Sequence, residues 1–255
     1  MSTREKTGYA LIGVVILVSI VLLFSQAPIA QDIRYHAFAD TRALWGIQNF
    51  WNVASNLLFL LVGWLGVYKV TFSKTLYIED TNRPAYSLFF AGVGLAAFGS
   101  GYYHLSPDNT TLVWDRLPMT FGFMALFSIV IGEYISARVG RRVLFPFMLA
   151  GIASVVYWHL SEAWGQGDLR FYAVVQFGPV LLMPVILLCF KTRYTHAYGY
   201  WSVLIAYASA KLCEHLDSQI YNILGFVSGH SLKHIVAAIG VYVLLDSYEK
   251  RKQHG

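Results

Sequence analysis

The sequence predicts an all-α, polytopic transmembrane bundle: a seven-helix core plus one extra transmembrane helix at the N-terminus. Three observations carry this expectation. Apolar residues make up 56% of the 255 and charged residues 13%, about half the roughly 25% charged residues of a soluble domain. Mean hydropathy is +0.52. The apolar residues also fall into runs of the roughly 20 that a bilayer-spanning helix needs. These values exclude a soluble globular protein, a disordered chain and a coiled coil. The net charge of +5 points to membrane topology before nucleic acid, because Lys and Arg collect on the cytoplasmic side of membrane proteins.

Eight runs follow in order, over approximately 9–26, 50–70, 85–104, 112–136, 143–160, 170–190, 198–222 and 230–248. The first has a short basic start and ends before Pro28. It reads as a retained anchor rather than a cleaved signal peptide, since Ser25-Gln26-Ala27-Pro28-Ile29-Ala30 has no A-x-A. The second opens with Phe50-Trp51-Asn52. Pro84 opens the third, Pro107 closes it and Pro146 lies near the start of the fifth. Pro118, Pro179 and Pro184 fall inside spans, where kinks are expected and neighbouring helices satisfy the freed backbone. The chain divides into residues 1–45 (cytoplasmic stub, anchor helix and external segment), 46–248 (the seven-helix core) and 249–255 (a basic cytoplasmic tail).

Eight spans put both termini on one side. That side holds Arg4, Lys6, Lys69, Lys74, Arg83, Arg138, Arg141, Arg142, Lys191, Arg193, Lys250, Arg251 and Lys252; the other holds Arg34, Arg42 and Arg170. Thirteen against three places both termini in the cytoplasm. The small size and short loops suggest a bacterial inner membrane.

An Asp, Lys or Arg at the centre of a membrane helix costs about 2.5 to 3.5 kcal/mol, so ionisable groups inside spans are functional candidates. They gather at one level, in the outer half of the bundle. Ser100 and His104 end the third span; Asp115 and Arg116 open the fourth; His159, Ser161 and Glu162 close the fifth. Lys211, Glu214, His215 and Asp217 lie in the outer half of the seventh, and His230, Lys233 and His234 open the eighth. His230 and His234 are spaced i, i+4, so both rings leave one helix face a turn apart, as do Ser100 and His104. Three neutral imidazoles plus water make the open site of a catalytic zinc. Asp115 is placed to act as general base and Ser100 to donate to a developing oxyanion.

The residues leave alternatives open. His159, His215, Glu214 and Asp217 are rival ligands at the same depth. Glu214, Asp217 and Lys211 equally suit a network of interhelical ion pairs, and the His pair alone suits an interfacial location. Tyr102, Tyr103, Trp114, Trp158 and Trp164 read as an interfacial aromatic belt, and His36, His196 and His254 as solvated loop or tail residues. Cys189 and Cys213, both in apolar runs, give neither a disulfide framework nor a CxxC site.

The chain resembles the alkaline ceramidase family, part of a larger group of seven-helix membrane hydrolases that includes the adiponectin and progestin receptors. The resemblance rests on Phe50-Trp51-Asn52-Val53-Ala54-Ser55-Asn56, Ser100-x-x-x-His104, Asp115 followed by Leu117-Pro118-Met119, and His230-x-x-x-His234, and covers about residues 40–248. It implies zinc held by His104, His230 and His234, with Asp115 and Ser100 completing the site. It also implies a ceramide substrate whose amide is split into a sphingoid base and a fatty acid. The pattern departs at Asn49, where members with a calcium site carry Glu, and the segment between the first run and Asn49 offers only Asp32 and Asp40 as carboxylates. Calcium prefers six to eight oxygen ligands and is not assigned. The implied partner is a lipid entering from the bilayer, with the active site toward the external leaflet; nucleic acid is not expected and no protein partner is inferable. A lipid-binding sensor without turnover and a haem-bearing cytochrome with two axial histidines are the competing readings.

Overall fold

The structure is a computed structural model describing residues 1–73 and 75–253. Lys74, counted above among the cytoplasmic basic residues, and His254, read as a solvated tail residue, lie outside the described residues. The helices are α1 (Thr3–Ser25), α2 (Phe50–Ala54), α3 (Leu57–Tyr68), α4 (Arg83–Leu105), α5 (Asn109–Tyr134), α6 (Ala137–Ala163), α7 (Arg170–Cys189), α8 (Tyr198–His215), α9 (Asp217–Leu224) and α10 (Gly229–Lys250). A π-helical turn, Lys69–Ser73, extends α3.

Among the described residues, six segments are long and apolar enough to cross a membrane: Thr3–Ser25, Phe50–Ser73, Asp80–Leu105, Asn109–Tyr134, Ala137–Ala163 and Arg170–Cys189. The pair α9 and α10, bent by 101°, makes a seventh if counted as one span. The sequence predicts eight runs, and the difference from this count falls at the seventh run. It breaks at Leu216 into α8 and α9, and α8 carries Lys211, Glu214 and His215 in its last turns, which lowers its apolar content. α8 packs along α10. The chain is a polytopic helical membrane bundle.

Each helix end has a local cause. Ser2 caps α1: its hydroxyl accepts from the Glu5 N–H (3.2 Å) while the Glu5 carboxylate accepts from the Ser2 N–H (2.6 Å). Asp108 and Thr111 form the same reciprocal cap on α5, which turns the chain back after α4 within three residues. α4 and α5 then run side by side through small residues. A Cβ on Gly99 would strike the Trp114 backbone, and one on Gly63 of α3 would strike Gly94 of α4, so glycine sets both approaches. The helices continue through Pro118, Pro146, Pro179 and Pro184. α1 stands at the side of the bundle against α7; Gly8 is its one buried residue, and Tyr9 meets Phe190 edge-on.

The expected second span, 50–70, is interrupted at Ser55 and Asn56. Asn56 Nδ2 donates to the Asn52 carbonyl at 2.7 Å and Ser55 Oγ approaches the same carbonyl at 3.3 Å. Side chains that bond the local backbone compete with the helical ladder, and the break falls beside the histidines described below.

At the far end from those histidines, Glu133 of α5 and Arg251 form a fork-to-fork pair (2.6 and 2.9 Å) with side chains 0% and 2% exposed. Tyr86 donates to Glu133 and Arg251 Nε to the Tyr77 carbonyl, while Tyr194 and Tyr248 lie 4.0 and 4.4 Å from the guanidinium carbon. Arg251 is thus not a free basic group of the tail, as its place in the sequence suggested; a buried carboxylate claims it.

Candidate metal centre and cavity

The last turn of α4 supplies Ser100 and His104, and the first two turns of α10 supply His230 and His234. Two side chains fix the start of α10. Ser228 Oγ accepts from the Ser231 N–H (3.2 Å), and Asp217 Oδ1 accepts from the His230 N–H (2.6 Å). Asp217 Oδ2 accepts from the Ala39 N–H at 2.9 Å, so both oxygens of this rival ligand are taken by backbone. Asn49, in the left-handed region at φ 49°, donates from Nδ2 to the His104 carbonyl at 2.8 Å.

His104, His230 and His234 are all buried, and one ring nitrogen from each lies within 4.8 Å of the others. His159, His215, Glu214 and Asp217 do not join that group. The Nε2 atoms of His104 and His230 are 3.4 Å apart. Two nitrogens bound tetrahedrally to zinc at about 2.05 Å are separated by about 3.3 Å. His104 Nδ1 has no protein partner. His234 Nδ1 meets Ser55 Oγ at 2.8 Å, and that oxygen is within reach of the Asn52 carbonyl. With the Ser55 proton on that carbonyl, Ser55 accepts from Nδ1–H and the Nε2 lone pair of His234 stays free. The donor set suits a tetrahedral nitrogen-bound cation such as zinc.

A cavity of about 400 Å³ opens beside this centre, in the size range of small-molecule sites. His234, Ser100 and Asp115 lie on its wall. Its inner part is apolar, with Phe89, Val93, Phe123 and Leu126 among the lining residues. Glu214 is held between Lys211 (2.6 Å) and Lys233 (2.5 Å), and Tyr35 donates to it at 3.3 Å. This is the ion-pair network that the sequence offered as an alternative to a ligand role.

The segment between α1 and α2 covers the centre. Phe38 packs on His104 and His230 at centroid distances of 4.9 and 4.5 Å. His36, expected in solvent, is half-buried between Tyr103 Oη and Asn109 Oδ1, both at 2.9 Å. Tyr102, Trp114 and Trp164 are exposed as an aromatic belt requires, but Tyr103 and Trp158 are buried. Tyr103 is held by His36, while Trp158 donates to Glu162 at 3.0 Å and stacks on Arg116. Asp40 is 1% exposed and both its oxygens bind Arg42, at 2.8 and 2.6 Å; Asp32 is likewise paired with Arg34. Among residues that sequence reasoning missed, Ser55 lay inside the quoted Phe-Trp-Asn motif, whereas Phe38 and Gln31 carried no signal.

A comparison with curated proteins returned no match. The model of the Ceramidase family matches residues 43–250, most of the chain including every residue of the centre, and the chain therefore belongs to the Ceramidase family.

Proposed function

We propose that this protein is a zinc-dependent amidohydrolase of the membrane, cleaving the amide of ceramide or a related N-acyl lipid to an amine base and a fatty acid. Family membership implies a hydrolase acting on amide bonds. The observation supporting the rest is the convergence of three buried histidines beside an apolar cavity that Ser100 and Asp115 also line. His104, His230 and His234 would hold the metal. Zinc there would polarise the amide carbonyl and lower the pKa of a bound water.

The chain's own residues then divide the remaining work. Asp115 takes the proton lost by the attacking water and returns it to the departing amine. Ser100 donates to the oxygen that gains negative charge. The apolar inner cavity holds the acyl chain, and Phe38 shields the histidines from solvent. A haem between these rings is disfavoured, because His104 and His230 are already in contact through their Nε2 atoms. We further propose that residues 46–248 are the hydrolase core, with residues 1–45 an anchor and external segment and 249–255 a tail. In this scheme both termini are cytoplasmic and the cavity faces the outer leaflet, as the basic residues favour.

Metal analysis of purified protein, paired with mass spectrometry of fatty acid released from mixed N-acyl lipids, tests the reading. One zinc per chain is expected, with metal and hydrolysis both lost in His230→Ala. Asp115→Asn is expected to keep the metal and lose roughly 10² to 10⁴ in rate. Zinc-replete protein that leaves every N-acyl lipid intact would overturn it in favour of a lipid sensor.

A further inference from the structure

Arg116 sits one residue beyond Asp115 on the wall of the same cavity and is 6% exposed. Its guanidinium packs against two aromatic rings, with its central carbon 4.0 Å from the centroid of Trp158 and 4.6 Å from that of Tyr172. Nη2 donates to Gln31 Oε1, from the covering segment. Nη1 is buried and has no hydrogen-bond partner. A stacked, planar guanidinium is an oriented fork whose free edge suits an oxyanion, and leaving a buried cationic donor unpaired is unfavourable.

The surrounding charges point the same way. Arg116, Lys211 and Lys233 line the cavity against two carboxylates, Asp115 and Glu214. Each lysine binds one oxygen of Glu214, so that carboxylate is spent while both ammonium groups retain further donors. This cationic excess lies at the polar end of the cavity, opposite the apolar part that suits an acyl chain. An N-acyl lipid with its amide at Asp115 and its chain inward would bring its amine portion here.

We propose that this polar end is an anion subsite, and that among N-acyl lipids the enzyme favours those whose amine portion carries a carboxylate or phosphate. The assignment rests on the hydrolase reading above. Arg116 acts here as a binding and specificity residue. In the reaction, water forms the new C–O bond at the acyl carbon and the C–N bond breaks. Both water protons end on nitrogen, one as the C–N bond breaks and the second from the new carboxylic acid, giving a fatty acid carboxylate and an ammonium product that keeps its anionic group.

N-palmitoylglycine and N-palmitoylethanolamine share an acyl chain and differ at the terminal group, one a carboxylate and the other a hydroxymethyl. Wild-type enzyme loaded with zinc is expected to favour the acid at least tenfold in kcat/KM. That preference should fall below about threefold in Arg116→Gln and be partly kept in Arg116→Lys. The absence of a preference in wild type overturns the proposal whether or not the variants fold. A binding arm uses the Asp115→Asn protein and thermal stabilisation by each lipid and by palmitate. Stronger stabilisation by N-palmitoylglycine supports the subsite even if no amide is cleaved, which would count against the hydrolase reading alone. Palmitate binding as strongly as N-palmitoylglycine would place the anion on the acyl product and overturn the substrate assignment.

Discussion

Replacing Ser55 by Ala should weaken metal binding without touching a ligand. Ser55 stands at the break between α2 and α3, and its oxygen meets His234 Nδ1 at 2.8 Å. The variant removes the acceptor that fixes the ring's tautomer and orientation. Loss of such a supporting partner typically costs 10- to 100-fold in metal affinity, or about 1.4 to 2.7 kcal/mol. Ser55 also approaches only a carbonyl of its own chain at 3.3 Å, so little else is lost. The assay is a competition titration of zinc against a chromophoric chelator, on metal-stripped protein in detergent. Ser154→Ala is the control, since Ser154 is buried and bonds only the Gly151 carbonyl of its own helix at 2.7 Å. A Ser55→Ala dissociation constant within twofold of wild type, or an equal loss in Ser154→Ala, would refute the assignment of His234 Nε2 as the free donor.

Two further outcomes concern the fold. Arg251→Met leaves Glu133 charged, buried and unpaired, and should cost about 3 to 5 kcal/mol of stability; adding Glu133→Leu should recover most of it. Unfolding of the purified protein in detergent reads both, and a single variant as stable as the double would contradict the account. In the loop before α7, the Arg170 guanidinium hydrogen-bonded to it holds the Asp168 carboxyl at about 2, below its ordinary value near 3.8. A carboxylate depressed on folding adds stability that is present above the unfolded value and lost as pH falls through the folded one. Wild type should therefore lose thermal stability between about pH 4 and pH 2. Asp168→Asn should flatten that part of the profile, and an unchanged acid limb would contradict it.

Much of this was legible in the sequence, for physical reasons that differ between elements. The spans could be read because lipid demands long apolar runs with internally satisfied backbone. The histidine pair on α10 could be read because i, i+4 spacing fixes a shared face. The convergence of His104 with that pair was an inference from depth alone, and contact between helices so distant in sequence is set by packing. Three features were not legible. The break at Ser55 and Asn56 depends on Asn side chains competing for backbone carbonyls, which hydropathy cannot register. Arg251 counted as a tail charge because its partner, Glu133, is 118 residues away. The covering segment reads from the sequence only as an external segment with His36 in solvent, although Phe38 and His36 are spent on the interior.

That segment explains why the polar groups sit where they do. A histidine cluster in the middle of a span would need its ring nitrogens and their supports supplied entirely by other spans. At the helix ends, short irregular chain can reach in, and here it does so at several independent points. Asn49 binds the His104 carbonyl, Gln31 binds Arg116, and Ala39 shares the Asp217 carboxylate with the His230 N–H. Asp217 is therefore the joint between the cover and the metal centre: one oxygen positions a histidine and the other seats the segment that shields it. Displacing the segment frees one acceptor on Asp217 and removes Phe38 from two rings at once. The cover and the histidines are thus coupled through Asp217, Asn49 and Phe38 together, and access to the centre is bound to their geometry.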